Sequence, residues 1–240
     1  MEVTVPFLDD ELTKQVAGVL APLENEVELV VYTGSALQVP GRDPAGEQKA
    51  TLELLREVAA TSDKVTVIEK NLILDDAAAA LGITLAPTTL FRRKGEDRTN
   101  LRFVGLPSGY EFSTLLETIL MVGASEAPSG VSLADVADIE TNLRLRTFVT
   151  PTCPHCPKSV ITSYRFAMVN PRIVAEGIEA NEFPTLSSGY RISGVPDTIV
   201  EGRAGSSVKS TRVLGAQPEA AFVGALRQAV GVPEQGQATG

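Results

Sequence analysis

The sequence predicts an α/β protein of two tandem units, each ordered strand, helix, strand, strand, strand, helix. Strand-like and helix-like runs follow one another in that order in both halves of the 240-residue chain. The segments Leu-Arg-Phe-Val-Gly at 101–105 and Thr-Arg-Val-Leu-Gly at 211–215 also form a near repeat, 110 residues apart. Self-similarity at a fixed period is rarely accidental. We therefore predict a duplication, each unit having a central mixed four-stranded sheet flanked by helices.

The two units contain matching elements. In the first unit we predict strands at 29–32, 65–69, 88–92 and 101–104, and helices at 46–60 and 110–122. In the second unit we predict strands at 145–150, 173–179, 197–201 and 210–214, and helices at 158–168 and 218–230. An extra helix precedes each unit. Asp9 or Asp10 can cap the first of these, and an apolar stripe predicts the second from Ser132 to Leu143.

Composition shifts divide the chain. Residues 1–123 form the first unit, and the Gly/Ser/Pro-containing stretch 124–131 is typical of a linker. Residues 132–231 form the second unit. The tail 232–240 has too few apolar side chains to pack, so we predict that it is flexible.

Composition and charge exclude several classes of function. A hydrophobic content of 43% with 21% charged residues is typical of a globular protein. The net charge of -9 argues against a nucleic-acid partner or an anionic membrane surface. No apolar run approaches the length of a membrane span. The first ten residues lack the basic and apolar regions of a signal peptide, and cysteine occurs only within one motif, so we expect a cytoplasmic protein.

That motif is the most informative feature of the chain. Both cysteines lie in Thr152-Cys153-Pro154-His155-Cys156-Pro157, between a strand-like and a helix-like stretch. Two thiols at this spacing can close into a disulfide and reopen with little backbone movement. If Cys153 lies at the helix start, the unpaired N–H groups there favour its reactive thiolate, and Pro154 suits a first helical turn. This context predicts redox chemistry.

Two alternatives involve no redox chemistry. A structural zinc site needs four ligands, usually Cys or His. The chain has two cysteines and one histidine, and His155 lies between the cysteines, so no metal is expected. A purely structural disulfide remains an alternative, as do two idle buried thiols. A ring this small, however, would stabilise the fold little through chain entropy.

The first unit has lost the cysteines. When Thr33 is aligned with Thr150, Ala36 and Val39 fall on the two cysteine positions, while a following proline is kept. We therefore expect the first unit to keep the fold without the sulfur chemistry, in a structural or docking role.

A strand–CxxC–helix unit with a Val-Pro pair some forty residues further on resembles the thioredoxin fold. Two such units in tandem resemble the glutaredoxin-like protein disulfide oxidoreductases of prokaryotes, with the first CxxC missing here. The marks that carry the resemblance are Cys153-Pro154-His155-Cys156, Gly194-Val195-Pro196 and the segment 177–184. A single C-terminal CxxC also resembles the N-terminal domain of the flavoprotein that reduces peroxiredoxin.

The chemistry of the motif assigns roles to its residues. Cys153 is expected to attack substrate disulfides as a thiolate, and Cys156 to resolve the mixed disulfide. A protonated His155 would stabilise the adjacent thiolate, and Pro154-His155 would thereby make the pair more oxidising. The strong periplasmic oxidants of this fold carry the same Pro-His pair. The alternative for His155 is a solvated loop residue.

The resemblance adds residues outside the motif. In thioredoxin folds the turn before a cis-proline faces the CxxC. Val195 would then offer its backbone to an extended substrate beside Pro196, with Thr152 also in contact. The alternative is a trans proline at the start of an edge strand. Glu176 is our candidate for a buried proton shuttle by the family pattern, and the alternative is a solvent-facing carboxylate.

The sequence thus predicts a thiol–disulfide oxidoreductase that reduces, forms or isomerises protein disulfides, without a cofactor. Its expected partners are protein or peptide dithiols and disulfides, and an upstream reductase such as a thioredoxin reductase-like flavoprotein. The alternative is a dedicated relay that docks one partner and passes electrons to it, for example to a peroxiredoxin.

Overall fold

The computed structural model describes residues 6–34, 44–204 and 207–230. Within it, the chain divides into two compact units, Met1–Glu126 and Ala127–Gly240. The division falls inside the stretch 124–131 that the composition indicates as a linker. The two units are described in turn.

The first unit has four strands flanked by helices. Its elements are α1 (Asp10–Leu20), β1 (Val27–Thr33), α2 (Pro44–Ala59), β2 (Val65–Asn71), α3 (Asp76–Ala80), β3 (Thr88–Arg93), β4 (Leu101–Val104) and α4 (Glu111–Gly123). The strand order is β2-β1-β3-β4. β1 is parallel to β2, and β3 is antiparallel to both β1 and β4. The Asp9 carboxylate caps α1 by accepting hydrogen bonds from the first-turn N–H groups, as the sequence predicts.

The second unit repeats this arrangement. Its elements are α5 (Val131–Ala137), β5 (Leu143–Val149), α6 (Cys156–Val169), β6 (Ile173–Glu179), α7 (Pro184–Gly189), β7 (Asp197–Ala204), β8 (Ser207–Leu214) and α8 (Glu219–Val230). The strand order is β6-β5-β7-β8, with β5 parallel to β6 and antiparallel to β7. β8 completes the mixed sheet as the antiparallel neighbour of β7.

The core of the second unit lies between the sheet and the long helices. β5 is buried along most of its length, and α6 packs against β5 and β6 while α8 packs against β7 and β8. Phe166 of α6 and Phe222 of α8 are fully buried, with ring centroids 6.3 Å apart. Two large aromatic side chains thus fix the two helices on the same face, where burial of each contributes roughly 2 to 3 kcal/mol.

Both units have the same turn between their short helix and the following strand. The peptide bonds Ala86–Pro87 and Val195–Pro196 are both cis, which confirms the cis-proline that the resemblance implies at Pro196. Gly105 N–H donates to the carbonyl of Pro87 at 2.9 Å, and Gly215 N–H donates to that of Pro196 at 2.8 Å. The two glycines have φ of 104° and 78°, a left-handed conformation that favours glycine. These are the last residues of the two near-repeat segments.

One predicted helix is wrong in length. The helix expected from Ser132 to Leu143 ends at Ala137, and Leu143 begins strand β5. The Asn170 side chain donates hydrogen bonds to the carbonyls of Val136 and Ile139, which terminates the helix. Leu143 is apolar because it is buried in the sheet, so its place in the helical stripe is a coincidence of spacing.

Two further features differ from what the sequence predicts. The short helices α3 and α7, of five and six residues, were not predicted, because one turn or two carry no readable periodicity. The alignment of the units is also shifted by one residue. Thr33 ends β1 as Val149 ends β5, so Thr33 matches Val149 rather than Thr150. Ala36, Val39 and the tail 232–240 lie outside the described residues.

Candidate active site

The two cysteines form a disulfide at the end of β5. Their Cα atoms are 5.5 Å apart, a normal separation for a disulfide. Cys153 N–H donates to the carbonyl of Thr150 at 3.1 Å, and Cys156 N–H donates to that of Cys153 at 3.3 Å. These two turns bring the side chains together through the backbone itself. The ring can therefore open and close while the chain keeps its path.

The two sulfur-bearing residues differ in exposure. Cys153 is 8% exposed, whereas Cys156 is 0% exposed. An incoming thiol can therefore reach only Cys153. Helix α6 begins at Cys156, three residues later than Cys153, and Pro157 instead of Pro154 occupies its first turn. The predicted placement of Cys153 at the helix start is thus corrected to the turn just before it.

The other residues of the motif surround the disulfide on the solvent side. Thr152, Pro154 and His155 are all exposed. His155 directly precedes α6, and its side chain makes no capping hydrogen bond. Its imidazole is therefore free to act on the sulfur pair or on a substrate, and the tuning role assigned to it stays a prediction.

The cis-proline turn presents an open backbone. Val195 is half-buried, and among the residues that the structure describes neither its N–H nor its C=O makes a hydrogen bond. Pro196 is buried, and its carbonyl accepts from Gly215 N–H. The pairing of β7 with β5 begins only at Asp197, opposite Phe148. One donor and one acceptor thus remain available just outside the sheet.

Glu176 lies on the opposite face of the sheet from the cysteine-bearing helix. The Thr147 hydroxyl is hydrogen-bonded to Ser163 of α6, so the adjacent Arg146 points to the other face. Glu176 is the in-register neighbour of Arg146 and accepts a hydrogen bond from its Nε at 3.1 Å. This placement is at odds with a proton shuttle beneath the cysteines. Glu176 instead neutralises Arg146.

Arg146 is at the centre of a small ionic network. Its guanidinium is hydrogen-bonded to the hydroxyl of Tyr190, which donates in turn to Glu201 at 2.8 Å. Burial lowers the pKa of Arg146, but attraction to Glu176, Tyr190 and Glu201 outweighs it and raises that pKa overall. The Tyr190 ring also packs on Phe148, with centroids 5.6 Å apart. The network ties the segment before the cis-proline turn to the sheet.

A buried hydroxyl cluster lies on the face covered by α6. Thr147 Oγ1 is 3.1 Å from Ser163 Oγ and 3.0 Å from Thr198 Oγ1, and all three residues are buried. This cluster was not predicted from the sequence. The sequence indicates it only through a threonine in the strand before the motif, at a position where an apolar core residue would be expected.

Asp197 is a second group that was not predicted from the sequence. It follows Pro196, is 0% exposed, and neither carboxylate oxygen accepts a hydrogen bond from the described residues. Arg212 Nε lies 3.3 Å from its Oδ1. Burial raises the pKa of Asp197 and the charge of Arg212 opposes that rise. Because it pairs with Phe148, Asp197 lies on the Arg146 face.

The described part of the chain contains no group of three or more His, Cys, Asp or Glu residues that could hold a metal ion. None of its helices is long and apolar enough to cross a membrane.

Comparison with known proteins supports the fold and the chemistry. Residues 144–226 match the thioredoxin domain family. The chain is 30% identical over 198 residues to the alkyl hydroperoxide reductase protein AhpF of Staphylococcus epidermidis, and 27% identical over 198 residues to that of Escherichia coli. Each alignment covers 82% of this chain and 34% of the relative. The chain thus spans about a third of the length of these relatives.

Solved structures show the same fold. AhpF of Enterococcus faecalis superposes with a TM-score of 0.77 at 23% identity, over 92% of this chain and 99% of that one. A protein disulfide oxidoreductase from Aeropyrum pernix superposes with a TM-score of 0.78 at 22% identity, over 98% and 100% of the two chains.

The fold and these relatives agree with one another. Residues 144–226, which include the CxxC of the second unit, match the thioredoxin domain, and the whole chain has the fold of the AhpF and protein disulfide oxidoreductase structures. It is homologous to AhpF, and the resemblance in fold to protein disulfide oxidoreductases inferred from the sequence is confirmed.

Proposed function

We propose that the protein exchanges electrons with protein or peptide dithiols and disulfides through Cys153. The observation that carries this proposal is the difference in exposure between the two cysteines, since Cys153 keeps 8% of its surface exposed and Cys156 keeps none. A structural disulfide needs no such asymmetry. An exchange reaction does need it, because one cysteine must meet the substrate and the other must wait in a fixed position.

In the oxidising direction, a substrate thiolate attacks Cys153 Sγ. A substrate–Cys153 disulfide forms, the Cys153–Cys156 bond breaks, and Cys156 leaves as a thiolate. The second substrate thiol loses its proton and attacks the substrate sulfur of the mixed disulfide, which releases Cys153 as a thiolate. Two electrons pass from the substrate to the cysteine pair, and the two substrate protons pass to solvent or to the new thiolates. The reductase direction is the reverse.

The backbone of Val195 supports the binding of an extended substrate. Its free N–H and C=O can pair with one residue of a peptide, in a short strand addition next to Pro196. Thr152 is exposed and can contact the same peptide. This assignment requires Val195 to lie beside Cys153, and a mixed-disulfide complex would test it by showing the peptide on the Val195 backbone.

Single cysteine substitutions test the chemistry. Cys153→Ser should abolish reduction of insulin disulfides, whereas Cys156→Ser should accumulate mixed disulfides through Cys153. The products can be identified by mass spectrometry under non-reducing conditions. Retained turnover in Cys153→Ser would show that the nucleophile is wrongly assigned.

We assign the tuning of the pair to His155. A positive charge next to the sulfurs stabilises the thiolate form, so His155→Ala should move the equilibrium with glutathione about tenfold towards the disulfide. His155→Lys, which places an ammonium group at the same position, should stay closer to the wild type. Equal equilibrium constants for wild type and His155→Ala would leave His155 a solvated loop residue.

A second candidate function is a dedicated relay, and the homology to AhpF favours it. Here the pair would accept electrons from a thioredoxin reductase-like flavoprotein and pass them to one acceptor such as a peroxiredoxin, in the cytoplasm. A broad enzyme should turn over insulin with a generic reductant. A relay should be slow with insulin and at least tenfold faster with a peroxiredoxin from the same genome.

We also propose that the first unit, 1–123, has a structural or docking role. A chain shortened to residues 127–240 should keep Cys153 reactivity towards an alkylating reagent if it folds. Loss of turnover with the native partner alone would support docking, and loss of stability alone would support a structural role. Full stability and full turnover would contradict both roles.

A further inference from the structure

Ser159 is a buried helix residue whose hydroxyl has no hydrogen bond. The residue is 1% exposed, and its Oγ finds no partner among the described residues. A serine inside a helix normally bonds back to a carbonyl of the preceding turn, as Ser163 does to the carbonyl of Ser159 at 3.0 Å. Leaving a buried hydroxyl without a partner destabilises the folded protein, because the group has lost its hydrogen bonds to water. Such a group in a folded protein needs an explanation.

The position of Ser159 supplies one. Residues three apart on a helix are neighbours on its surface, so Ser159 lies one turn after Cys156 on the same side of α6. Cys156 is 0% exposed, so no water reaches its sulfur from bulk solvent. In the disulfide, Cys156 Sγ is bonded to Cys153 and needs no donor. When the disulfide opens, the same sulfur becomes a buried thiolate or thiol that does need one.

The other hydroxyls beneath α6 are already in use. Ser163, Thr147 and Thr198 are bonded to one another or to the backbone. They hold α6 against the sheet. Within the described residues, Ser159 Oγ is the fully buried hydroxyl oxygen of α6 that has no hydrogen-bond partner. The first unit has Val31 at the strand position of Thr147, in the same pairing with β3 as Thr147 has with β7. The unit that has the cysteines therefore has a threonine at this position, and the unit without them has a valine.

We propose that Ser159 donates a hydrogen bond to Cys156 Sγ in the reduced protein. This proposal deepens the proposed function and rests on it. Opening of the disulfide by an incoming thiolate transfers the electron pair of the Sγ–Sγ bond to Cys156, which leaves as a buried thiolate. Rotation about its Cα–Cβ bond brings that sulfur to the Ser159 hydroxyl, which donates without giving up its proton. A hydrogen bond that exists only after the bond breaks stabilises the dithiol state and the leaving thiolate.

The energetic consequence has a definite sign. In the oxidised protein Ser159 is an unsatisfied group, and in the reduced protein it is satisfied. Its removal should therefore favour the disulfide. Hydrogen bonds to charged groups are worth more than neutral ones, so the equilibrium constant with glutathione should shift by about tenfold, which corresponds to about 30 mV for this two-electron couple.

Ser159→Ala tests the proposal in the full chain. The fraction of reduced protein is measured against mixtures of reduced and oxidised glutathione, after alkylation and mass analysis. The thiolate absorbance of the reduced protein is followed with pH, and the pKa of the Cys156 thiol should rise in the variant. Urea unfolding of the oxidised and reduced forms, in the wild type and in the variant, gives the four free energies of unfolding of a thermodynamic cycle. Ser159→Ala should weaken the reduced form relative to the oxidised form.

Ser163→Ala is the matched control, because it removes a hydroxyl from the same helix and the same side. It should lower the stability of both redox forms alike and shift the glutathione equilibrium less than twofold. Ser159→Thr keeps the hydroxyl and should retain the wild-type equilibrium. A shift below twofold for Ser159→Ala, a shift towards the dithiol, or an equal shift for Ser163→Ala would overturn the proposal. Failure of the wild-type protein to exchange with glutathione at all would instead overturn the proposed function.

Discussion

The two units use the same strand register to bury opposite kinds of side chain. Val30 of β1 pairs with Ile68 and Leu90, and on this face the first unit has an apolar cluster that also includes Tyr32. The residue at the Val30 position in the second unit is Arg146.

One of the two cross-strand neighbours of Arg146 is exchanged in the same way. Arg146 pairs with Glu176, at the position of Ile68, whereas Ile199, at the position of Leu90, stays apolar. The fold therefore accepts either apolar or charged side chains on this face of the sheet. An apolar side chain needs apolar neighbours there, and a charged side chain needs a neighbour of opposite charge.

Removal of Arg146 from its pair with Glu176 should have the largest effect on stability. Arg146→Val leaves Glu176 with the weaker attraction of Arg144, whose Nε is 3.9 Å away, and should destabilise the protein by about 4 kcal/mol in urea unfolding. The double variant Arg146→Val, Glu176→Ile carries the pair of the first unit and should recover most of that loss. A double variant as unstable as the single one would show that the two faces are not interchangeable.

A second difference lies at the start of the last helix of each unit. Glu111 of α4 is 1% exposed, and burial raises its pKa to about 7, although a hydrogen bond from Thr114 opposes the rise. The acidic residue in the first turn of α8 is Glu219, which is only half-buried. The first unit, which lacks the cysteines, therefore holds a carboxyl group that titrates near neutrality.

This raised pKa makes stability depend on pH. The folded protein keeps the Glu111 proton up to about pH 7, while the unfolded chain loses it near the ordinary glutamate pKa of 4.5. The contribution of protonated Glu111 to the free energy of unfolding is therefore complete below pH 4.5. It is lost as the pH rises through 7. Glu111→Gln should therefore be more stable than the wild type by about 3 kcal/mol at about pH 8 and equal to it at about pH 4. Glu126→Gln, at an exposed site, should show no such crossover.

The smallest expected difference concerns one threonine in each unit. Thr198 is hydrogen-bonded to Thr147, whereas Thr89, at the matching position opposite Val31, is buried with its hydroxyl unpaired among the described residues. Thr198→Val should cost about 1 kcal/mol, and Thr89→Val should cost nothing or stabilise by up to ~1 kcal/mol. Thermal unfolding of the two variants checks the sign. Equal losses would mean that Thr89 has a partner in solution.

The architecture could be predicted from the sequence because the duplication presents each pattern of strands and helices twice. All eight strands and the six longer helices of the described residues are predicted from the sequence, most of them within two residues. Each weak pattern in one half is supported by its counterpart in the other. The cysteine pair and the cis-prolines carry local signatures that no other residue type imitates. Short helices such as α3 and α7 carry none.

The buried polar side chains could not be predicted from the sequence in the same way. Whether a serine or threonine faces water or the core depends on which strand lies beside it, and register is a property of the folded sheet. Ser159, Thr147 and Asp197 therefore look unremarkable in the sequence. Glu176 was assigned from the family pattern, and the pairing with Arg146 that fixes its face is visible only once β5 and β6 are in register.

The unequal exposure of the two cysteines has a consequence for turnover. Under the proposed function, electrons enter and leave through one atom, Cys153 Sγ, because Cys156 is closed to solvent. A donor and an acceptor cannot occupy that atom together, so no ternary complex of both with this protein can be productive. The donor must depart before the acceptor arrives, and steady-state kinetics should show parallel double-reciprocal lines. At high concentration each partner should inhibit the reaction of the other.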